Sequence, residues 1–155
     1  MFEWFYCRKC RRQGVAGPNF ALKNSIGESV LCLALRLGHF SIAQMLLSGG
    51  ANVNSYGPDE NLSLLQLFIQ RRDQRVALFL IENGAHVNSE TIFDQSPLVL
   101  SIHQDLPDVL EELCRRGANM EVVPGDESPL WLALAAGKED LASILVRYFN
   151  VFNWI

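Results

Sequence analysis

The chain has 155 residues, 49% of them hydrophobic, and a formal net charge of −4. This length is typical of one ordinary domain with a buried core, and charged residues interrupt the apolar stretches too often for a membrane span of about 20 residues. The charge is uneven, because residues 1–23 carry a net +4 and the remainder therefore carries −8. An acidic body argues against nucleic acid as the main partner.

Residues 1–23 form a separate N-terminal segment, which we interpret as a hydrophobic cap, a fragment of another structure or a disordered stretch. Cys7 and Cys10 have the Cys-x-x-Cys spacing that supplies two of four zinc ligands. No second pair follows, so we predict no metal site. Cys32 and Cys114 fall within helical patterns and are predicted to be buried thiols. Such cysteine usage favours a reducing, cytoplasmic compartment.

Residues 25–54, repeat one, contain two predicted helices, at 30–37 and 41–47. Gly38 and His39 are predicted to form the turn between them. We expect the second helix to be buried through three apolar side chains at helical spacing, Ile42, Met45 and Leu46.

Residues 56–88, repeat two, begin with a turn signal and continue into a first helix that we predict to be strongly buried. Its core side chains are Leu64, Leu65, Leu67 and Phe68, and a second helix is predicted at 76–82. Between the helices lies a basic cluster of Arg71, Arg72 and Arg75. This cluster is either a solvated edge or a contact for an acidic partner.

Residues 89–120, repeat three, contain a first helix predicted at 97–103. Asp105 is predicted to cap the second helix, because its carboxylate can accept the unpaired N–H groups of the first turn. Pro107 lies just inside that start, and Gly117 supplies a left-handed stop. The predicted buried side chains of the second helix are Leu106, Val109, Leu110 and Leu113. The preceding loop carries Ile92 and Phe93, which either bind a partner or pack on the loop of repeat two.

Residues 121–148, repeat four, include a first helix that begins near Ser128, and we attribute Trp131 on it to packing. Phe149 stands where a stopping glycine is expected, so the pattern fails near Tyr148. The aromatic tail, 149–155, is interpreted as the end of a truncated array or as a cap that folds back.

Two landmarks recur in common register along these four segments. A serine begins each first helix, and the spacing is nearly constant from Ser29 to Ser63, Ser96 and Ser128. A Gly-Ala pair follows each of the first three serines at one fixed distance, at 50–51, 84–85 and 117–118. A period near 33 that opens with Ser-Pro-Leu and closes with Gly-Ala-x-Val-Asn resembles the ankyrin repeat over about residues 24–147.

This resemblance implies an all-α solenoid of about four helix-turn-helix repeats that share one core, with β-turn loops projecting near 55–62, 89–95 and 121–127. The chain departs from the family where a histidine usually follows Pro-Leu. The residues there are Cys32, Gln66, Val99 and Trp131. We expect this replacement to remove a side-chain hydrogen bond that ties the loop to the helix.

The resemblance also implies a protein-binding scaffold whose specificity lies in the loop tips and the exposed ends of the first helices. The positions that match are Arg36, Tyr56, Gln70, Arg71, Phe93, Gln95, His103 and Gln104. The three histidines lie in different repeats, and neither a glycine-rich phosphate loop nor a nucleophile elbow occurs. We therefore expect a monomeric, non-catalytic protein that uses no cofactor.

A narrower resemblance covers about residues 106–147, including Leu-Pro-Asp-Val-Leu-Glu at 106–111 and Ser-Pro-Leu-Trp-Leu-Ala-Leu at 128–134. These segments are similar to the rabankyrin family, endosomal proteins that combine a BTB domain, a long ankyrin array and a FYVE finger. The resemblance implies early-endosome traffic, a Rab-type GTPase or endosomal trafficking factor as partner, and no direct membrane insertion. Two alternatives stay open: a truncated or spliced fragment without autonomous function, and a small metal-binding protein using Cys7 and Cys10.

Overall fold

The computed structural model describes residue 20 and residues 22–58, 61–89, 96–120 and 128–152. These residues form two compact units, which divide after Asn52. The first unit contains helices α1 (Val30–Arg36) and α2 (Phe40–Ser48). The second contains α3 (Leu64–Gln70), α4 (Gln74–Glu82), α5 (Pro97–Gln104), α6 (Pro107–Arg115), α7 (Pro129–Ala135) and α8 (Glu139–Phe152). Within the described ranges the β-structure is limited to isolated bridges, Lys23–Ser29 and Tyr56–Ser63, which confirms the all-α class.

The four serines that were predicted to begin the first helices are the N-caps of those helices. Each serine Oγ accepts a hydrogen bond from the backbone N–H three residues later, at 3.1 to 3.3 Å. The first helices have only seven or eight residues. Helices this short are marginal in isolation, so the caps and the packing between repeats must supply their stability.

Each of the first three repeats has a left-handed residue after both of its helices. Gly50, Gly84 and Gly117 follow the second helices with φ of 102°, 87° and 79°, which confirms the predicted glycine stops. A second left-handed position lies between the two helices of each repeat. Its occupants are Gly38, Arg72, Asp105 and Gly137, with φ between 59° and 73°.

The prediction that Asp105 caps the second helix of repeat three is wrong. Asp105 ends α5 in the left-handed conformation, and the N-cap of α6 is Leu106, which makes no side-chain cap. The chain must reverse between two helices within two residues, and this requires positive φ, which Asp tolerates better than most residues. The Asp105 carboxylate then lies 3.9 Å from Lys138 Nζ.

In the second unit, every helix packs on its partner within the repeat and on its counterpart in a neighbouring repeat. The first helices α3, α5 and α7 pack in succession, as do the second helices α4, α6 and α8. Leu64, Leu65, Leu67 and Phe68 are at most 6% exposed, which confirms the predicted core of repeat two. The predicted apolar face of α6 is buried as well, at Leu106, Val109, Leu110 and Leu113.

Hydrogen bonds from side chains to the backbone connect successive repeats. Asn54 Oδ1 accepts from the backbone N–H of His86 at 2.7 Å, and Asn88 Oδ1 accepts from that of Asn119 at the same distance. Asn54 and Asn88 are the last residues of the recurrent Gly-Ala-x-Val-Asn pattern. The sequence shows that this asparagine recurs, and the structure shows that it connects one repeat to the next.

Gln66 keeps the connection that we expected the missing histidine to remove. Its Oε1 accepts from the Ser63 backbone N–H at 3.0 Å, and its Nε2 donates to the Ser89 carbonyl at 2.9 Å. The side chain is 1% exposed. The expectation was therefore wrong at this position, because an amide offers the same pair of donor and acceptor that a neutral imidazole does.

Three predicted core side chains are exposed. Ile42 and Met45 are 44% and 45% exposed, because the buried side of α2 is centred on Ala43 instead. Trp131 is 54% exposed, so packing does not account for it. The prediction of two buried thiols is confirmed, since Cys32 and Cys114 are fully buried.

Helix α8 continues to Phe152, five residues beyond Arg147, and has 14 residues where α4 and α6 have nine. This extension agrees with the absence of a glycine stop at position 149. The proposed domain limits at 23 and 148 stay predictions.

Candidate partner-binding surface

Four of the predicted binding residues lie together in the second unit. Gln70 and Arg71 end α3, and His103 and Gln104 end α5, at equivalent positions seven and eight residues after the capping serines. Because α3 packs on α5, these two rows adjoin. Gln70, Arg71 and His103 are exposed, and Gln104 is half-buried. We call this surface, formed by residues 70–71, 103–104 and the small pair at 135–136, the turn edge.

The positive charge of the turn edge is concentrated on repeat two. The Arg71 guanidinium lies over the Phe68 ring, 5.9 Å from its centroid, an arrangement that orients the charge without hiding it. Arg72 and Arg75 are exposed beside it. Arg72 occupies the left-handed position between α3 and α4, so the turn fixes its backbone conformation.

The cation of repeat four has a structural partner. Lys138 Nζ donates to the carbonyls of Ile102 at 2.6 Å and His103 at 3.3 Å, at the C-terminal end of α5. A cation there complements the negative end of the helix dipole and adds a hydrogen-bond donor for carbonyls in the last turn. Lys138 therefore stabilises the junction of repeats three and four.

In the first unit, Arg36 takes part in an ion pair that the sequence analysis missed. Its Nε and Nη2 lie 2.8 and 3.2 Å from the two carboxylate oxygens of Glu28, which is 4% exposed. The hydrogen bond from Arg36 holds the pKa of the Glu28 carboxyl below its ordinary value. The two residues are eight apart across a helix start, where no local spacing rule relates them. Arg36 thus has a structural role beside any role in binding.

The remaining predicted binding residues lie in loops. Tyr56 is 54% exposed and its backbone pairs with Ser63 in an antiparallel bridge, so this loop is anchored at its base. Phe93 and Gln95 lie outside the described residues, as do Ile92, Cys7 and Cys10. Their predicted roles are untested by the geometry.

The three histidines occupy different local positions in their repeats. His39, His86 and His103 are all exposed, at a helix start, after a glycine stop and at a helix end. In the part of the chain that the structure describes, no group of three or more His, Cys, Asp or Glu side chains could hold a metal ion. No helix in those ranges is long and apolar enough to cross a membrane.

Comparisons with known proteins agree with this architecture. The family model for the ankyrin repeat matches residues 26–57. The chain is 34% identical over 104 residues to a putative ankyrin repeat-containing protein of Treponema pallidum, a match that covers 67% of this chain and 35% of that protein. It is 45% identical over 134 residues to human rabankyrin-5, a match that covers 78% of this chain but only 11% of rabankyrin-5. The chain thus spans about a third and about a tenth of these relatives.

A solved structure shows the same fold. An ankyrin repeat domain from Acinetobacter baumannii superposes with a TM-score of 0.72 over 85% of this chain and 70% of that one, at 22% sequence identity. The repeated serine caps, glycine stops and helix pairs account for this similarity in physical terms. The chain belongs to the ankyrin-repeat family.

Proposed function

We propose that this chain is a non-catalytic protein-binding module whose partner docks on the turn edge of the second unit. Ankyrin repeats are protein-interaction modules, and the proposal assigns that role to particular residues. The observation that supports it is the exposure of Gln70, Arg71 and His103 at the adjoining ends of α3 and α5. Side chains on rigid helix ends lose less conformational freedom on binding than side chains on flexible loops.

The partner surface is acidic where it meets repeat two. Arg71 on the turn edge, with Arg72 and Arg75 beside it, gives this part of the surface a positive charge within a body that carries a net −8 outside residues 1–23. Charge complementarity raises association rates and selects against partners of like charge. We expect the affinity to fall as the salt concentration rises, because these arginines are exposed and their charge is screened.

The setting is early-endosome traffic, with a Rab-type GTPase or another endosomal trafficking factor as the partner. The support for this assignment is the 45% identity to human rabankyrin-5. The module acts as a cytoplasmic monomer and associates with the endosome through its partner or a larger parent protein, without inserting into the membrane.

The test is affinity capture from cytosolic extract with the whole chain and with an Arg71→Glu, His103→Glu double variant of matched melting temperature. A Gln44→Glu variant is the control, since Gln44 is exposed on α2 and also gains a negative charge. The proposal predicts that the chain and the control capture the same endosomal proteins and that the double variant loses them. Equal capture by all three chains would refute the turn edge as the site. A folded chain that captures nothing would favour a fragment without autonomous function.

A further inference from the structure

The sequence contains a single Asn-Gly pair, Asn83-Gly84, and it lies at the end of α4. Asparagine followed by glycine is the dipeptide that deamidates most readily, because glycine has no side chain to hinder attack on the asparagine amide. Asn83 is the half-buried C-cap of α4, and Gly84 is the exposed left-handed stop with φ of 87°. The turn that ends repeat two therefore carries a reactive amide.

The deamidation reaction needs only this pair and water. The backbone nitrogen of Gly84 attacks Cγ of Asn83, and the new N–Cγ bond closes a five-membered succinimide ring. The Cγ–Nδ2 bond breaks, and Nδ2 leaves as ammonia with the proton that the Gly84 nitrogen has lost. Water then opens the ring at either of its carbonyls and yields aspartate or isoaspartate at position 83. In isoaspartate the main chain runs through the former side chain and is one methylene longer.

The folded structure engages both reacting groups in other contacts. Asn83 Nδ2 donates to the Phe79 carbonyl at 2.8 Å, and the Gly84 N–H donates to the Ile81 carbonyl at 3.1 Å. Asn83 has φ of −89° and ψ of 14°, and ring closure requires a large rotation about this ψ to bring the Gly84 nitrogen to the side chain. Such a rotation breaks the bond to Ile81. The reaction therefore requires the last turn of α4 to open.

We propose that Asn83 is a covalent modification site, at which spontaneous deamidation is controlled by opening of the end of α4. Helix ends open at a lower free energy than the core does, so the site is protected but not inert. The rate in the folded protein is then the rate in the unfolded chain multiplied by the fraction of molecules that are open. This proposal is independent of the turn edge and of the acidic partner.

The product weakens the fold where it forms. An aspartate at position 83 has no Nδ2 donor and sets a carboxylate oxygen against the Phe79 carbonyl. Its negative charge also lies at the negative end of the α4 dipole, next to Glu82. Isoaspartate lengthens the main chain three residues before His86, whose N–H donates to Asn54 in a bond that connects successive repeats. A chain that has deamidated therefore opens more readily at this turn.

The test compares the full chain folded in buffer with the same chain unfolded in guanidinium chloride, at one mildly alkaline pH and one temperature. Samples are digested with pepsin at low pH, which limits further reaction, and fragmentation mass spectrometry assigns the modified residue. We expect Asn83 to be the first asparagine to react in the unfolded chain. In the folded chain its rate should be at least about tenfold lower, as expected when the reaction waits for local opening.

Two variants separate opening from the intrinsic chemistry. Asn54→Ala removes the acceptor of the His86 N–H, which lies 2.7 Å away. It should raise the rate at Asn83 at least about threefold in the folded chain, the effect of losing one hydrogen bond, and leave the rate in the unfolded chain unchanged. The control Gln44→Ala, exposed on α2, should change neither rate. Asn83→Asp, which reproduces one product, should lower the melting temperature by about 2–4 °C, the shift expected for one lost hydrogen bond.

Four results would overturn the proposal. Equal rates in the folded and unfolded chains would show that the fold does not control the reaction. Faster reaction at another asparagine of the unfolded chain would move the site. An equal increase by Asn54→Ala in both states would show that this substitution does not act through opening. An unchanged melting temperature of Asn83→Asp would show that the aspartate product does not weaken the turn.

Discussion

The substitution Gln66→Leu tests how a single buried amide connects a helix start to the next loop. Leucine has nearly the same helix propensity as glutamine and a similar size, so the change removes hydrogen bonds without disturbing the helix otherwise. It leaves the Ser63 N–H and the Ser89 carbonyl without their present partners, which lie 3.0 and 2.9 Å away. Ser63 is buried and Ser89 is half-buried, so water can replace the second bond more easily than the first.

An unsatisfied buried polar group costs about 1–3 kcal/mol, and a partly hydrated one costs less. We therefore expect Gln66→Leu to lower the free energy of unfolding by about 2–4 kcal/mol, a large fraction of the 5–15 kcal/mol that is typical of a domain. The measurement is urea denaturation followed by far-ultraviolet circular dichroism. The matched control is Gln70→Leu on the same helix, whose exposed side chain should change stability by at most about 0.5 kcal/mol.

The reasoning is refuted if Gln66→Leu and Gln70→Leu differ by less than about 0.5 kcal/mol, the usual scatter of surface substitutions. A further variant, Gln66→Glu, keeps the acceptor for the Ser63 N–H but sets a carboxylate against the Ser89 carbonyl. It should therefore destabilise at neutral pH. If it does not, the hydrogen bond to Ser89 contributes nothing.

Three other predictions concern the backbone, an ion pair and a thiol. Arg72→Gly should raise the unfolding free energy by about 0.5–1 kcal/mol in urea denaturation, because glycine adopts the positive φ of this turn without strain; an unchanged midpoint would contradict this. At pH 7, Glu28→Gln should lower the free energy of unfolding, and this effect should disappear on acidification. The pKa of Glu28 is lowered in the folded protein, so its contribution to stability is present above the ordinary glutamate pKa and is lost as pH falls through the folded pKa. A pH-independent difference between the two chains would contradict this. Burial raises the pKa of the Cys114 thiol to about 11. In a Cys7→Ser, Cys10→Ser background, the native protein at pH 8 should therefore resist thiol reagents and should react after unfolding in urea. Labelling of the native protein would contradict this.

The local signals in the sequence were read correctly because short-range physics controls them. A serine three residues before a backbone N–H can cap a helix whatever lies beyond it, and a glycine adopts positive φ without a partner. The four helix starts and three glycine stops therefore followed from spacing alone. Burial in repeat two, at Leu64, Leu65, Leu67 and Phe68, also followed from spacing, because apolar side chains at helical intervals form one face that a neighbouring element can cover.

Sequence patterns do not predict a side chain's environment when that environment depends on residues far away in the chain. Helical spacing marks an apolar face on α2 but does not reveal which part of it is covered, and the structure buries Ala43 instead of Ile42 and Met45. Trp131 looks like a core residue until its uncovered position on α7 is known. The partner of Arg36 was missed for the same reason, as was the hydrogen bond from Gln66 to Ser89, which lies in the next repeat.

The sequence by itself determined the recurring unit of this protein: a helix pair with a capping serine at its start and a glycine at its end, because those features act over short stretches of chain. Only the tertiary structure decided which apolar positions are covered and which polar side chains connect one repeat to the next. Burial and hydrogen bonding between repeats depend on neighbours in another repeat, and equivalent positions therefore have different environments where a following helix pair covers them and where none does.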